Sequence, residues 1–518
     1  MNKIASLFLL ILLNFSALAS GELEPRSQIK SYSSALSALS QEGASQYFSA
    51  LKDSVFDEQK GEYTFKFKVP FSWVDRYVIL HLGAINSAFA LSVNGKQVGE
   101  FNSSFTPVEI ALDKFIVEGA NSLTITLKDD ENAKLLENFP RSKDIIGGDS
   151  YVLAQPKVRV VDINYSTEIT DNVGLLSLDV LIKTELLNDK KLKVYYELYS
   201  PDNKLVNSFT KDLEIGMLAQ DRVVFLANVK DVLSWSHAQP NLYRLCVKTQ
   251  MEGRFLEYVS FDLGFSNLDF KGGDMFINGA KVDISSYELE PDLDYDALSA
   301  KLDELKREGV NFLAFKHHPA NKFYYTLADR KGFYVQDQVA IKTVKGGKTP
   351  SNNPALENEY LSRTNEAYRN SKNHVSVVAY NLATDSENGY NLYQSYTYLK
   401  DLKPRVAVVY HDVDGQWNSD SLTLKSGAKP IENKLVSLSV EGDKITVTNL
   451  NKYNTIYDLE LDIKGESPFN LNAEQSQEFT LKKSQEVVLK RKRKPTFFTV
   501  TEGESDYEIL EKIKVKLK

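Results

Sequence analysis

The sequence predicts a multidomain β plus α/β protein, and three observations carry that prediction. A chain of 518 residues exceeds what one hydrophobic core holds, since cores stop growing beyond roughly 250–300 residues. Apolar and polar residues alternate with period two through both ends of the chain, the pattern of half-buried strands. Between them, from Asp294 to Tyr410, continuous apolar strands alternate with helical-period segments, which implies a parallel sheet with crossover helices.

The elements follow in order. Residues 1–19 read as a cleavable signal peptide: Lys3, the apolar run Leu7–Leu13, then Ala17-Leu18-Ala19. That run is too short to span a bilayer, and no cysteine stands at the cleavage point for a lipid anchor. The expectation is a periplasmic or secreted protein without a membrane span. Residues 20–47, rich in Ser and Ala with little periodicity, read as a linker or loose arm. In residues 48–157, Tyr63, Phe65, Phe67 and Val69 alternate with Thr64, Lys66 and Lys68. Further strands are expected at Val78–Leu82, Ala88–Val93, Val108–Leu112 and Ser122–Leu127, with turns at Asn94-Gly95 and Glu118-Gly119. Asn-Gly between alternating runs is the strongest short hairpin signal. Residues 158–266, with strands such as Leu192–Leu198 and Arg222–Leu226, have the length of an immunoglobulin-like sandwich.

The period changes in residues 267–427. Leu298, Leu302 and Leu305 recur at helical spacing, Lys306 and Arg307 fill the last turn, and Gly309 stands where a C′ cap belongs. Val310–Phe315, Phe333–Gln336, Val375–Tyr380 and Val406–Tyr410 read as buried strands, with helices at Ala355–Lys372 and Asn391–Leu402. Strand, His-Pro loop, short helix and strand between Asn311 and Ala340 make two successive β/α units. Alternation returns in residues 428–518, at Lys444–Thr448, Leu459–Ile463, Phe479–Leu481 and Val487–Leu489, as a C-terminal β-sandwich.

Composition excludes some functions. A net charge of −8 leaves no basic footprint for nucleic acid. The single cysteine, Cys246, excludes an intrachain disulfide and reads as a buried apolar thiol. The basic run Lys490–Lys494 reads as a solvated strand end or as a contact for anionic polysaccharide or lipid. Asp412-Val413-Asp414-Gly415 lacks the distal Glu of a calcium loop.

Several motifs, in order, resemble glycoside hydrolase family 2. Val69-Pro70, Trp73, His81, Val93-Asn94-Gly95 and Thr106-Pro107 are similar to that family's sugar-binding jelly roll. Trp235 to Tyr243 resembles the end of its immunoglobulin-like domain, and Phe276-Ile277-Asn278-Gly279 the start of its barrel. Tyr325 to Gly332 resembles the helix between its second and third barrel strands, and Ile445 to Asn449 the β domain beyond. The resemblance implies a jelly-roll sandwich, an immunoglobulin-like sandwich, a truncated (β/α) barrel and a C-terminal sandwich.

It also implies a site that has lost much of its chemistry. Retaining glycosidases need two carboxyl groups about 5 Å apart at barrel strand ends. The family's acid/base follows the fourth strand as Asn-Glu; the matching pair here is Thr384-Asp385, one methylene shorter. Asp385 is therefore a weakened acid/base, and a solvated or helix-capping carboxylate is its plainer reading. An Arg after the second strand becomes Ala314, while its His survives as His317. The acidic residue after Asp337 becomes Gln338. Positions that help β-galactosidases bind Mg²⁺ become Lys342 and Val344, so no metal or other cofactor is expected.

The nucleophile sits on the family's seventh strand, but Val406–Tyr410 is only the fifth here. Between Lys425 and Lys444 there is no room for three more β/α units of roughly 30 residues each. The expectation is an open sheet edge covered by the C-terminal domain, a second copy of the chain, or another exported protein. The ligand-facing candidates are His317, His318, Asp337, Gln338 and Trp417. Of the tryptophans, Trp73 and Trp235 read as core, and Trp417 as a sugar-stacking platform. Two functions stay open: an inactive exported glycan-binding or scaffold component, or a β-glycosidase in which Asp385 pairs with Asp337 or Asp412.

Overall fold

The computed structural model describes residues 22–516 except 25, 28, 42–45, 53, 84, 103–104, 141–148, 344–349, 411–418, 425–435, 451–454 and 493–506. The leader-like segment 1–19, Val344, the Asp412 to Gly415 motif, Trp417 and the last two residues of the basic run lie outside the described residues.

The first sandwich has two sheets. One orders Phe48–Ala50, Tyr151–Gln155, Tyr77–Leu82 and Val108–Ala111; the other orders Val55–Asp57, Glu62–Val69, Gly119–Lys128, Ala88–Val93 and Lys96–Phe101. The alternation puts Phe65, Phe67 and Val69 inward against Leu80, Leu82 and Trp73. Asn94 and Gly95 have φ of 52° and 76°, the positive pair that a two-residue hairpin turn needs. The second sandwich packs Val158–Thr170, Val173–Thr184 and Gln220–Lys230 against a sheet running from Arg254–Leu263 to Leu205–Ile215. Cys246 is fully buried there, and desolvation pushes its thiol up to about 12, which makes it unreactive.

The 20–47 segment corrects its reading as a linker or loose arm. Ser31 and Tyr32 pair antiparallel with Val259 and Tyr258, extending the second sandwich's sheet. Ile29 is fully buried in that domain's core, and Ser34 caps a short helix at Ala35–Ser40. Ser27 Oγ donates to Asp162 Oδ1 at 2.5 Å, and Arg26 forms an ion pair with Glu109. Those partners lie 135 and 83 positions away, so no local periodicity announces them.

Five parallel strands in chain order form the next layer: β1 (Ser286–Leu289), β2 (Phe312–Phe315), β3 (Tyr334–Gln338), β4 (Val377–Asn381) and β5 (Ala407–Val409). The crossovers are α1 (Tyr295–Arg307), α2 (Lys322–Lys331), α3 (Glu357–Ser371) and α4 (Tyr390–Leu402). Asp294 caps α1 by accepting from the Ala297 amide, and Gly309 ends it at φ 82°. The helices cover one face through Leu298, Leu302, Tyr324, Tyr360 and Leu392. A three-stranded meander (Leu268–Lys271, Asp274–Ile277, Ala280–Lys281) packs Met275 and Ile277 on the other face, with Trp235 and Leu422. The sheet is thus open and layered on both sides.

At the β5 edge, the outward backbone groups of Val408 are bonded by Asp420 of the same chain. Val408 turns its amide and carbonyl outward. Its N–H donates to Asp420 Oδ2 at 2.9 Å and its carbonyl accepts from the Asp420 amide at 2.9 Å. Lys400 Nζ and Tyr396 Oη hold the same carboxylate at 2.9 and 3.0 Å. The C-terminal sandwich follows, with sheets built on Val436–Glu441, Lys444–Asn449 and Ser476–Thr480, and on Ile456–Leu461 and Gln485–Lys492.

Candidate functional site

Side chains alternate along a strand, and β3 shows what that does at the C-terminal end of the sheet. Gln336 and Gln338 face a cleft of about 610 Å³, on the side of the sheet away from the helices. Asp337, between them, faces the helices. It is fully buried, accepting from Tyr325 Oη at 2.8 Å and from the Gln338 amide at 2.9 Å. Burial raises its carboxyl to about 6. Asp337 is therefore a structural acid behind the sheet, and neither a ligand contact nor a partner for Asp385; the expectation of both fails on strand parity.

The cleft floor is made of amides. Asn381 Nδ2, at the end of β4, donates to Gln338 Oε1 at 2.8 Å, and Gln338 Nε2 donates to the Val339 carbonyl at 2.7 Å. The bonds fix the orientation of two buried polar side chains beneath the opening. Fixed amides in a cleft lined mainly by polar side chains suit the hydroxyl pattern of a sugar.

Asp385 stands at the rim, in the left-handed backbone region with φ 45°, a conformation that Asp tolerates better than most residues. Its Oδ2 lies 2.9 Å from Lys342 Nζ, with 52% and 23% of the two side chains exposed. The loops carrying the pair are fastened on both sides: the Thr384 amide donates to the Ile341 carbonyl at 3.2 Å and the Thr343 amide to Ser386 Oγ at 3.0 Å. Lys342 is also held by the first sandwich. Its amide donates to the Leu136 carbonyl at 2.6 Å, and its carbonyl accepts from the Asn138 amide at 2.9 Å.

The two histidines separate. His317, at φ 68°, lines the cleft with Nε2 3.5 Å from Glu290 Oε2, and desolvation lowers its pKa. His318 turns into the domain junction. Its ring stacks on Phe105 at 4.1 Å, Nδ1 sits 2.9 Å from the Pro319 carbonyl oxygen, and burial lowers its pKa to about 4. It is a packing residue, not a ligand contact. Glu288 of β1 also lines the cleft. Glu288 is not among the sequence-predicted site residues, although the strand-like Ser286-Tyr287-Glu288-Leu289 carries its carboxylate on β1.

Of the two Mg²⁺ positions implied by the resemblance, Val344 lies outside the described residues and Lys342 does not fit a divalent ion. An ammonium already bonds the Asp385 carboxylate, and among the described residues no three His, Cys, Asp or Glu side chains converge on one point.

Comparison with known proteins adds the ancestry of this frame. Three family models match in order: the sugar binding domain of glycosyl hydrolases family 2 at residues 46–153, the glycosyl hydrolases family 2 model at 158–265, and that family's TIM barrel domain at 291–458. The last match runs on into antiparallel strands of the C-terminal sandwich. A β-galactosidase of Priestia megaterium is 25% identical over 394 residues, 71% of this chain and 38% of that protein. One of Lactobacillus delbrueckii subsp. bulgaricus is 26% identical over 423 residues, 73% of this chain and 41% of that protein. The chain thus spans about two fifths of the length of these relatives. Among solved structures, a β-glucuronidase from Ruminococcus gnavus in complex with D-glucuronic acid superposes with a TM-score of 0.58 at 17% identity, covering 70% of this chain and 66% of that one. A Bacteroides uniformis β-glucuronidase covers 88% of this chain and 74% of its own, with a TM-score of 0.57 at 13% identity.

Proposed function

The chain is a glycoside hydrolase family 2-like protein, and from that premise we propose that it binds a β-linked glycan in the strand-end cleft without cleaving it, as an exported binding component. The observation carrying this reading is the Lys342–Asp385 ion pair. General acid catalysis needs a carboxyl within hydrogen-bond reach of the leaving oxygen and carrying a proton. Asp385 is short by a methylene and engaged by a fixed ammonium. In that state it accepts a hydrogen bond from a sugar hydroxyl, while Asn381 and Gln338 supply oriented amide groups.

Isothermal titration with β-galactosides, β-glucuronides and β-mannosides tests the reading. A saturable heat with at least one of them, lost in Asn381→Ala, supports it; no heat with any of them removes it. The edge contact made by Asp420 favours glycan binding over scaffolding at β5, because the backbone groups a partner strand would use are already bonded. Export rests on the leader-like residues 1–19, and N-terminal sequencing of protein from fractionated cells checks it.

One observation favours the second reading, a β-glycosidase with a rebuilt site: Glu288 and Asp385 line the same cleft. Turnover of an aryl β-glycoside, abolished by Glu288→Gln and Asp385→Asn alike, would establish it in place of the first.

A further inference from the structure

The resemblance places a divalent-ion position at Lys342, and the side chain found there reaches the strand-end carboxylate of Asp385. We infer that the Lys342 ammonium is the resident cation at the Asp385 carboxylate, standing in for a divalent ion, so that this corner of the cleft is assembled and works without metal, while the other ammonium of the cleft, Lys316, pairs with Glu290. The inference deepens the binding reading above, since it says how that site keeps its charge.

Three features carry it. The Nζ–Oδ2 distance of 2.9 Å is that of a charge-assisted hydrogen bond. The ammonium is not a loose surface group. Its side chain is 23% exposed, its backbone is held by the Leu136–Asn138 segment, and its neighbours Ile341 and Thr343 are bonded to the Asp385 loop. Finally, the neighbouring polar groups of the cleft, Gln338 and Asn381, bond each other, so they are not a ligand set waiting for an ion. A magnesium ion demands oxygen donors at about 2.0–2.1 Å in near-octahedral geometry. An ammonium fixed on the carboxylate takes that place and repels the ion.

An ammonium and a divalent ion also differ in what they offer a ligand. The ion carries two charges and exchangeable waters, whereas Lys342 carries one charge and directed N–H donors. A ligand hydroxyl or carboxylate at the rim therefore meets an N–H donor beside a carboxylate acceptor, with no metal-bound water between them.

The experiment uses Mn²⁺ as the probe on the purified full chain, read by the electron paramagnetic resonance signal of free ion. The parent protein is expected to leave the free-ion signal unchanged and to melt at the same temperature in Mg²⁺ or EDTA. Lys342→Glu removes the resident charge and sets a second carboxylate beside Asp385. It is expected to bind one Mn²⁺ and to gain about 2–4 °C in melting temperature with Mg²⁺. Lys342→Glu/Asp385→Asn is expected to lose both effects. Ion uptake or EDTA sensitivity in the parent would overturn the inference, as would a Lys342→Glu protein that folds, by circular dichroism, yet takes up no ion. These readouts involve no glycan, so failure of the binding reading is seen separately in the titrations.

Discussion

At Asp337 a single position decides between a ligand contact and a buried acid, and its charge state leaves a measurable trace. Burial holds this carboxyl at about 6, against 3.8 for the free group. The folded chain therefore binds that proton more tightly than the unfolded chain. Its stability contribution falls as pH rises from about 4 to about 6, and above that range the full penalty, roughly 3 kcal/mol, is in force. Asp337→Asn keeps an oxygen for the Tyr325 hydroxyl and has no charge to desolvate. It is predicted to exceed the parent in stability by up to about 2 kcal/mol near neutral pH, and to match or fall below it near pH 4. Urea midpoints at the two pH values check this. His318 works with the opposite sign. Its pKa is lowered from 6.5 to about 4, so its contribution is lost as pH falls through that interval. A non-titrating aromatic there, His318→Phe, is predicted to hold its stability better than the parent between about pH 6 and pH 4, with the same urea assay as readout. What the sequence conveyed at this scale was residue type. It placed His317, Gln338 and Asp385 at strand ends, but it assigned Asp337 to the same side as Gln338, which strand alternation forbids.

Elements were legible where their pattern is local. The Leu298, Leu302 and Leu305 spacing and the Gly309 cap bound α1 closely, because a helix is stabilised by neighbours three and four residues apart. The Asn94-Gly95 hairpin is local for the same reason. The arm at Ile29–Ser40 and the Asp420 contact were not legible, since each is held by groups distant in sequence and neither carries a repeat. Asp420 shows how much such a contact decides. It satisfies the outward N–H and C=O of Val408 in β5 and pairs with Lys400. Asp420→Ala leaves the Val408 amide and the Lys400 ammonium without this acceptor, at a cost of about 2–4 kcal/mol. The variant is predicted to unfold at lower urea and to sediment partly as dimers or larger species through the uncovered edge. A variant as stable as the parent and wholly of the parent's size would show that the edge needs no cover.

Across the whole molecule, the cleft depends on domains that sequence reading treats as separate. The first sandwich reaches the barrel-like layer through the helix at Glu131–Leu136, which the alternation pattern did not predict. Immediately after it, Glu137 Oε1 meets Arg363 Nη1 of α3 at 2.6 Å with both side chains 1% exposed, and the same Nη1 donates to the Ala340 carbonyl at 3.0 Å. Asp162 of the second sandwich similarly holds Lys372, just past α3, at 2.6 Å. Because Leu136 and Asn138 also clamp Lys342, the Glu137–Arg363 pair anchors the segment that positions that lysine beside Asp385. Removing one partner of a buried pair strands the other's charge, whereas replacing both by apolar groups costs far less. Arg363→Met is therefore predicted to lose about 3–5 kcal/mol and to weaken ligand binding at a cleft it does not touch. Glu137→Leu/Arg363→Met should recover most of the stability, while binding recovers only if the Leu136–Asn138 segment returns to its place. A double-mutant cycle read by both urea unfolding and titration calorimetry separates the two effects. Parallel losses in both readouts across the cycle would mean that the pair stabilises the fold generally. Stability restored with binding still impaired would locate its role in holding Lys342 against Asp385.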